Sequence, residues 1–270
     1  MINGVPSDYY EFTGWSPSID APITGPMYFY AQFSFDGYIE EDWATIAANV
    51  AKGDLSNYGL AGRKTFTYTV DGLTSVVEAE IIGINHDQLS TLDNSYNKGA
   101  ATAGLTFAIR LLGRDSRKVN GDTKPDDEGN VSLNGGGWEK CDLRTWCNTD
   151  LYAALPEDLR NAIKEVVKIS DTGYFTKSLN TTVDKVWLLS DRELNTEYSD
   201  YVVAGQGEPY PLFTNNTSRI KANQETGQLT YWTRSAGLDG FHFFRYIDAS
   251  GNPKSNGGGN PGGVAFAFCI

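Results

Sequence analysis

The sequence predicts an α+β fold, and three stretches carry that prediction. Residues 65–70 and 76–84 are filled with aromatic and β-branched side chains and flank Asp71-Gly72, a strong short-range signal for an antiparallel hairpin. The chain closes on Val264, Phe266, Phe268 and Ile270, alternating with Ala265, Ala267 and Cys269. Terminal residues fray unless a sheet or a docked helix holds them, so this run reads as a closing central strand. Short segments of helical period, beginning with Trp43, Ile46, Ala47 and Val50, supply the helices that cover the sheets.

Composition narrows the function classes. At 270 residues the chain has room for one large or two small domains. Its 29 glycines, 15 tyrosines and 13 phenylalanines give a strand-rich, loop-rich profile. A net charge of −12 repels nucleic-acid phosphates and anionic membranes, which argues against nucleic acid as a partner. No window approaches ~18 consecutive apolar residues, and the N-terminus has neither a basic region nor an apolar one. A soluble chain without membrane insertion or secretion signal is expected. Of the three cysteines, Cys141 and Cys147 stand six apart in a helical pattern and point away from each other. They read as free thiols packed like small apolar groups, with no metal spacing, so neither a metal nor a cofactor is predicted.

Taken in order, residues 1–35 form a small β unit and 36–270 the main domain. A helix begins from Asp36, with Glu40, Glu41 and Asp42 at its positive end and Gly53 as its stop. After the hairpin, the pair His86-Asp87 admits a catalytic reading, in which the carboxylate orients the imidazole. No nucleophile accompanies it, so hydrogen bonds that pin a loop are the favoured role. Residues 88–137 look irregular and polar apart from an apolar island at 100–112. Asp122, Asp126, Asp127 and Glu128 lie among glycines and asparagines there; oxygen-rich loops can hold calcium, but the EF-hand spacing is missing and a solvated acidic loop is expected. Asp142 can cap a short helix with Leu143, Trp146 and Leu151 on one face. Pro156 opens another, with Leu159, Ile163 and Val166 inward. Residues 185–190 read as a buried strand, 195–227 as a long loop, and Tyr231-Trp-Thr-Arg-Ser as scaffold.

Two resemblances go beyond these patterns. Tyr10-Glu-Phe-Thr-Gly-Trp-Ser-Pro followed by Met27-Tyr-Phe-Tyr-Ala-Gln-Phe resembles half of a small β-grasp-like repeat of Gram-positive surface proteins, the internalin B-repeat type. It implies a stalk or adaptor packed through Trp15, Tyr28, Tyr30 and Phe33; a hairpin lying on the main domain is the alternative. Leu143-Arg-Thr-Trp-Cys-Asn, Lys185-Val-Trp-Leu-Leu-Ser, Tyr231-Trp-Thr-Arg-Ser and Gly263-Val-Ala-Phe-Ala-Phe-Cys-Ile together look like an uncharacterised family found in phage tail and fibre proteins and in Firmicutes surface proteins. That family is similar to the C-type-lectin-like fold of formylglycine-generating enzymes and of the variable proteins of diversity-generating retroelements. The resemblance implies twisted antiparallel sheets, two or three short helices and long loops. In the variable proteins the stretch before the last strand carries the binding surface.

The departures from these relatives matter. Formylglycine-generating enzymes use paired cysteines, whereas this chain offers only Cys269 near its end, and the calcium motifs of true C-type lectins are missing. The expectation is therefore a non-enzymatic phage virion protein, a tail fibre, baseplate or head fibre, that binds a glycan or protein receptor on the host surface. It would also contact other virion proteins and form a homo-oligomer, by analogy with fibres a trimer. A structural capsid or tail decoration protein and a bacterial surface adhesin are the alternatives. A glycan hydrolase needs paired carboxylates, and no motif marks such a pair. Tyr and Trp give contact area at low entropy cost while Ser, Gly and Asn adapt their hydrogen bonds, so the display surface is placed at 236–263. Its predicted binding residues are Asp239, Phe241, His242, Arg245, Tyr246, Asn252, Lys254, Asn256 and Asn260. Burial of the 241–246 strand between sheet and helices is the competing arrangement.

Overall fold

The computed structural model describes residues 10–20, 25–35, 37–90, 101–196, 202–223, 225 and 227–270. The start of the N-terminal unit, Asp36, Ala100, the side chain of Phe33 and part of the 195–227 loop lie outside them. β1 (Tyr10–Ser16) and β2 (Tyr30–Phe35) pair antiparallel with each other. The aromatic side chains Trp15, Tyr28 and Tyr30, expected to pack within a repeat, are exposed.

Helix α1 (Trp43–Lys52) starts later than Asp36, because Asp42 is its cap: the carboxylate accepts from the Thr45 N–H at 2.7 Å. Gly53, in the left-handed region, ends it as expected. β3 (Arg63–Val70) and β4 (Leu73–Ile84) form the predicted hairpin, in register from Val70 opposite Leu73 to Arg63 opposite Glu80. Both turn residues, Asp71 and Gly72, have positive φ, the geometry a two-residue hairpin turn demands. The apolar island contains β5 (Leu105–Leu111). Short strands β6 (Ser116–Arg117), β7 (Lys124–Pro125) and β8 (Val131–Ser132) give order to the stretch read as irregular.

That stretch is not simply a solvated acidic loop. Asp126 is buried and accepts from the Glu128 and Asn130 N–H groups at 3.0 and 2.8 Å, so it staples a turn, while Asp122, Asp127 and Glu128 are exposed. Helices α2 (Gly137–Lys140) and α3 (Asp142–Trp146) follow. Cys141, rather than Asp142, stands at the N-cap of α3; Asp142 instead accepts from Gly121 N–H at 2.9 Å. A π-helical turn, Cys147–Leu151, runs into α4 (Tyr152–Ala154), and α5 (Glu157–Ala162) buries Leu159. Val166, expected on a helix, begins β9 (Val166–Asp171), which pairs with β10 (Leu179–Asp184).

The remaining elements are β11 (Trp187–Leu188), α6 (Asn216–Arg219), β12 (Lys221–Asn223), β13 (Gly227–Leu229), β14 (Tyr231–Ala236), β15 (Phe243–Ile247), β16 (Pro253–Gly257), β17 (Gly262–Gly263) and β18 (Phe266–Cys269). One sheet joins β11, β18, β5, β12 and β13, with β4 and β3 added through β5. A second runs β16-β15-β14-β17-β6. The closing strand is central: β18 lies between β11 and β5, and Ile270 exchanges backbone hydrogen bonds with Leu105. Phe107 stacks on Phe268 at 5.5 Å, and Trp43 from α1 meets both edge-on, so helix and sheet share one core. The three cysteines are buried and free. No helix of the described residues is long and apolar enough to cross a membrane.

Candidate functional site

An aromatic cluster forms where two loops meet. The β9–β10 turn presents Tyr174 and Phe175, and the loop between β14 and β15 presents Phe241 and His242. Phe175 stacks on Phe241 with ring centres 5.9 Å apart, Tyr174 meets Phe175 edge-on at 5.3 Å, and the His242 ring lies 3.9 Å from Phe241. Phe175 and Phe241 each keep 42% of their surface in solvent. The Lys177 ammonium sits 5.2 Å from the centre of the Tyr174 ring. The result is an outward-facing aromatic cluster with a cation at one edge.

Buried polar groups hold these loops in place. Asn134, with no exposed surface, donates its amide to the carbonyls of Gly237, Gly240 and Phe243 at 3.1, 3.0 and 2.9 Å. Its side-chain oxygen accepts from Ser132 and from the Tyr174 N–H. One side chain therefore ties three loops together. Gly173 has φ of +99°, and a Cβ there would sit 2.1 Å from the Asn134 carbonyl oxygen, so only glycine lets the two loops approach. Asp171 completes the frame by accepting from the N–H groups of Ala236 and Gly173 at 2.9 and 3.1 Å.

Burial pushes the Asp171 carboxyl up to about 7, against the pull of those two N–H donors. A carboxyl whose folded pKa lies above its unfolded value contributes stability that is full below ~4 and is lost as the pH rises through ~7. The stability of the wild type relative to Asp171→Asn is therefore expected to fall between about pH 4 and about pH 7. Denaturant titrations of both proteins across that range check it; a constant difference would show that Asp171 stays ionised throughout.

The nine predicted binding residues divide into three groups. Asp239, Phe241, His242, Asn256 and Asn260 are exposed at the aromatic end. Asn256 and Asn260 are linked side chain to side chain at 2.9 Å, and Gly258 N–H donates to the His242 carbonyl, which seats their turn beside His242. Tyr246, Asn252 and Lys254 belong to the opposite end of the β15–β16 hairpin, where Tyr246 packs on Trp232 and Asn252 closes a turn on Asp248. Arg245 leaves the surface altogether. It is 6% exposed, its Nε donates to Asp191 at 2.9 Å and its Nη1 to Ser255 at 2.8 Å. An arginine on the inward side of a strand needs a buried acid, and Asp191 supplies it.

Sequence reasoning missed Tyr174, Phe175 and Asn134. The signal for the first two was two adjacent aromatics after a glycine in a turn between strands, Gly173-Tyr-Phe-Thr. Asn134 offered none, since the three carbonyls to which it donates lie more than a hundred residues away.

The His86-Asp87 pair belongs to a buried ionic network instead. Asp87 contacts the Lys168 ammonium, accepts from Thr106 Oγ1 at 2.5 Å and from Tyr210 Oη at 2.8 and 2.9 Å. Burial raises the Asp87 carboxyl, but Lys168, His86 and Thr106 outweigh it and hold it well below the usual carboxylate range. Glu193 sits 3.3 Å from Lys168 and pairs with Arg234 through both oxygens. His86 stacks on Tyr210 at 4.1 Å. Asp87 links several chain segments through these hydrogen bonds, while His86 contributes by stacking on Tyr210, its two ring nitrogens being buried without a hydrogen-bond partner among the described residues.

An α+β protein with an outward-facing aromatic cluster is thus defined by fold and site. Residues 116–270 match the family described as Domain of unknown function (DUF6273), and the chain belongs to it. The match starts at β6, so β5, which neighbours the closing strand, and the β3–β4 hairpin beyond it lie outside it. Neither a curated protein nor a solved structure matches the chain.

Proposed function

We propose that this chain is a phage virion protein, a tail-fibre, baseplate or head-fibre component, whose C-type-lectin-like domain binds a receptor on the host surface. The observation that carries the reading is the cluster of half-buried Tyr174 with exposed Phe175, Phe241 and His242, on loops locked from beneath by Asn134. Rigid aromatic anchors give contact area with little ordering cost, and loops held in one conformation lose less entropy on binding. Asp239, Asn256 and Asn260 at its rim supply polar groups for the hydroxyls of a glycan or the backbone of a protein. Binding, rather than catalysis, is the proposed activity, with a homo-oligomer in the virion or, alternatively, on a bacterial surface.

Phe175→Ala with Phe241→Ala is expected to lower adsorption to host cells at least ~10-fold, since truncating central aromatic anchors commonly removes more than about 1.4 kcal/mol. Because both rings are partly in solvent, the thermal midpoint should move little. Undiminished adsorption by the double variant would reject the site.

A purely structural decoration role draws support from a different observation. On the β1–β2 hairpin Phe12, Trp15, Tyr28 and Tyr30 are all exposed, and apolar surface of this kind marks association sites. Blank host-adsorption and glycan assays, together with tight binding to a capsid or tail protein, would favour that reading.

A further inference from the structure

Lys168, Asp87 and Glu193 meet in the interior with side chains 2%, 4% and 2% exposed. The Lys168 ammonium touches Asp87 Oδ1, and Glu193 Oε1 is 3.3 Å from the same nitrogen. The Trp187 ring centre lies 4.0 Å from that nitrogen and the Tyr210 ring centre 5.8 Å, so apolar rings wall the group on two sides. An amine, a carboxyl and a second carboxylate in a dry enclosure are the reactants and the proton relay of an amide condensation.

We propose that Lys168 and Asp87 join in an intramolecular isopeptide bond, with Glu193 as the proton carrier. Once Glu193 has taken one proton from the ammonium, the lone pair of Lys168 Nζ attacks Asp87 Cγ, the N–C bond forms, and one C–O bond of the carboxyl breaks. Of the three ammonium protons, one stays on the amide nitrogen and two leave with the departing oxygen as water. Glu193 takes a proton from the nitrogen and returns it to that oxygen, ending as it began. No oxidant or cofactor enters the balance. Tyr210 Oη and Thr106 Oγ1 donate to the Asp87 oxygens, which draws electron density from Cγ and stabilises the oxyanion that forms on attack.

Charge accounting favours the product. Condensation removes one buried cation and one buried anion together, and the charges left, Glu193 and Arg234, are already paired. Permanent contact in the folded chain supplies the high effective concentration that an uncatalysed amide condensation lacks. The bond would join positions 81 residues apart, tying the β9–β10 ribbon to the chain that leaves β4.

The mass of the intact wild-type chain in denaturant tests this without any variant. The expected result is a mass lower than that of the sequence by one water, with a branched tryptic peptide in which Lys168 is uncleaved and joined to Asp87. Lys168→Met and Glu193→Gln should each show the full sequence mass. A full mass for the wild type overturns the proposal, as does a water loss that maps to Asp71-Gly72 or Asp239-Gly240, where a cyclic imide forms instead. Water loss that persists in Glu193→Gln overturns the role given to Glu193.

Discussion

Arg234→Met is expected to lower folding stability by about 3–5 kcal/mol, the range seen when one partner of a buried ion pair is removed. Arg234 has no exposed surface on β14. Both of its terminal nitrogens reach Glu193, Nη1 also donates to the Leu188 carbonyl at 2.9 Å, and Nη2 to the carbonyls of Ile169 and Gln206 at 3.1 and 3.2 Å. Its Nε donates to Ser170 Oγ at 3.0 Å. Methionine fills much of the space but satisfies none of these acceptors. Glu193, which both terminal nitrogens of Arg234 reach, would then be a buried carboxylate without that partner.

The double variant Arg234→Met with Glu193→Leu separates charge from packing. Compared in a background where Lys168→Met and Asp87→Asn remove the cross-link and its charges, the variant lacking both Arg234 and Glu193 should be more stable than the one lacking Arg234 alone. Urea midpoints at unchanged slope measure the difference. If the two losses simply add, the stranded carboxylate is not what destabilises the single variant, and the unmet carbonyls are.

The legible parts of this fold were those written in local pattern. Asp71-Gly72 announced its hairpin because two residues alone set the turn, and the Val264–Ile270 alternation announced a strand because one segment contains it. What the sequence concealed was pairing over distance. Asp87, Lys168, Glu193 and Arg234 come from four separate segments, and each alone looks like an ordinary charged residue. The same blindness misplaced Arg245: its partner Asp191 is 54 residues earlier, and without that partner a surface arginine was the sensible reading. Phe241 and His242 were singled out because aromatic density is a local signal. Their neighbours Tyr174 and Phe175 were not, because only the folded chain brings the β9–β10 turn to them.

Asn134→Ala is expected to lower stability by about 2–3 kcal/mol and, on the proposed binding role, to weaken host adsorption at least ~10-fold, although Asn134 is fully buried. Of its three acceptors, the Phe243 carbonyl also receives the Gly237 N–H and the Gly240 carbonyl the Phe243 N–H, so these two retain a partner when Asn134 is truncated. The buried Gly237 carbonyl loses the Asn134 amide, and Tyr174 loses its side-chain acceptor, so the loss falls on the join between the two aromatic loops. Loosening that join leaves Phe175 and Phe241 present but unaligned, and binding must then supply the ordering energy. Asn134→Asp should be worse than alanine despite its similar shape, because a carboxylate oxygen would replace the donor that faces three carbonyls. Hydrogen exchange provides the separating measurement: in Asn134→Ala the amides of residues 237–243 should exchange faster while those of β5 and β18 keep their protection. Wild-type protection across 237–243, with binding nonetheless lost, would place the effect of Asn134 somewhere other than the order of the loop.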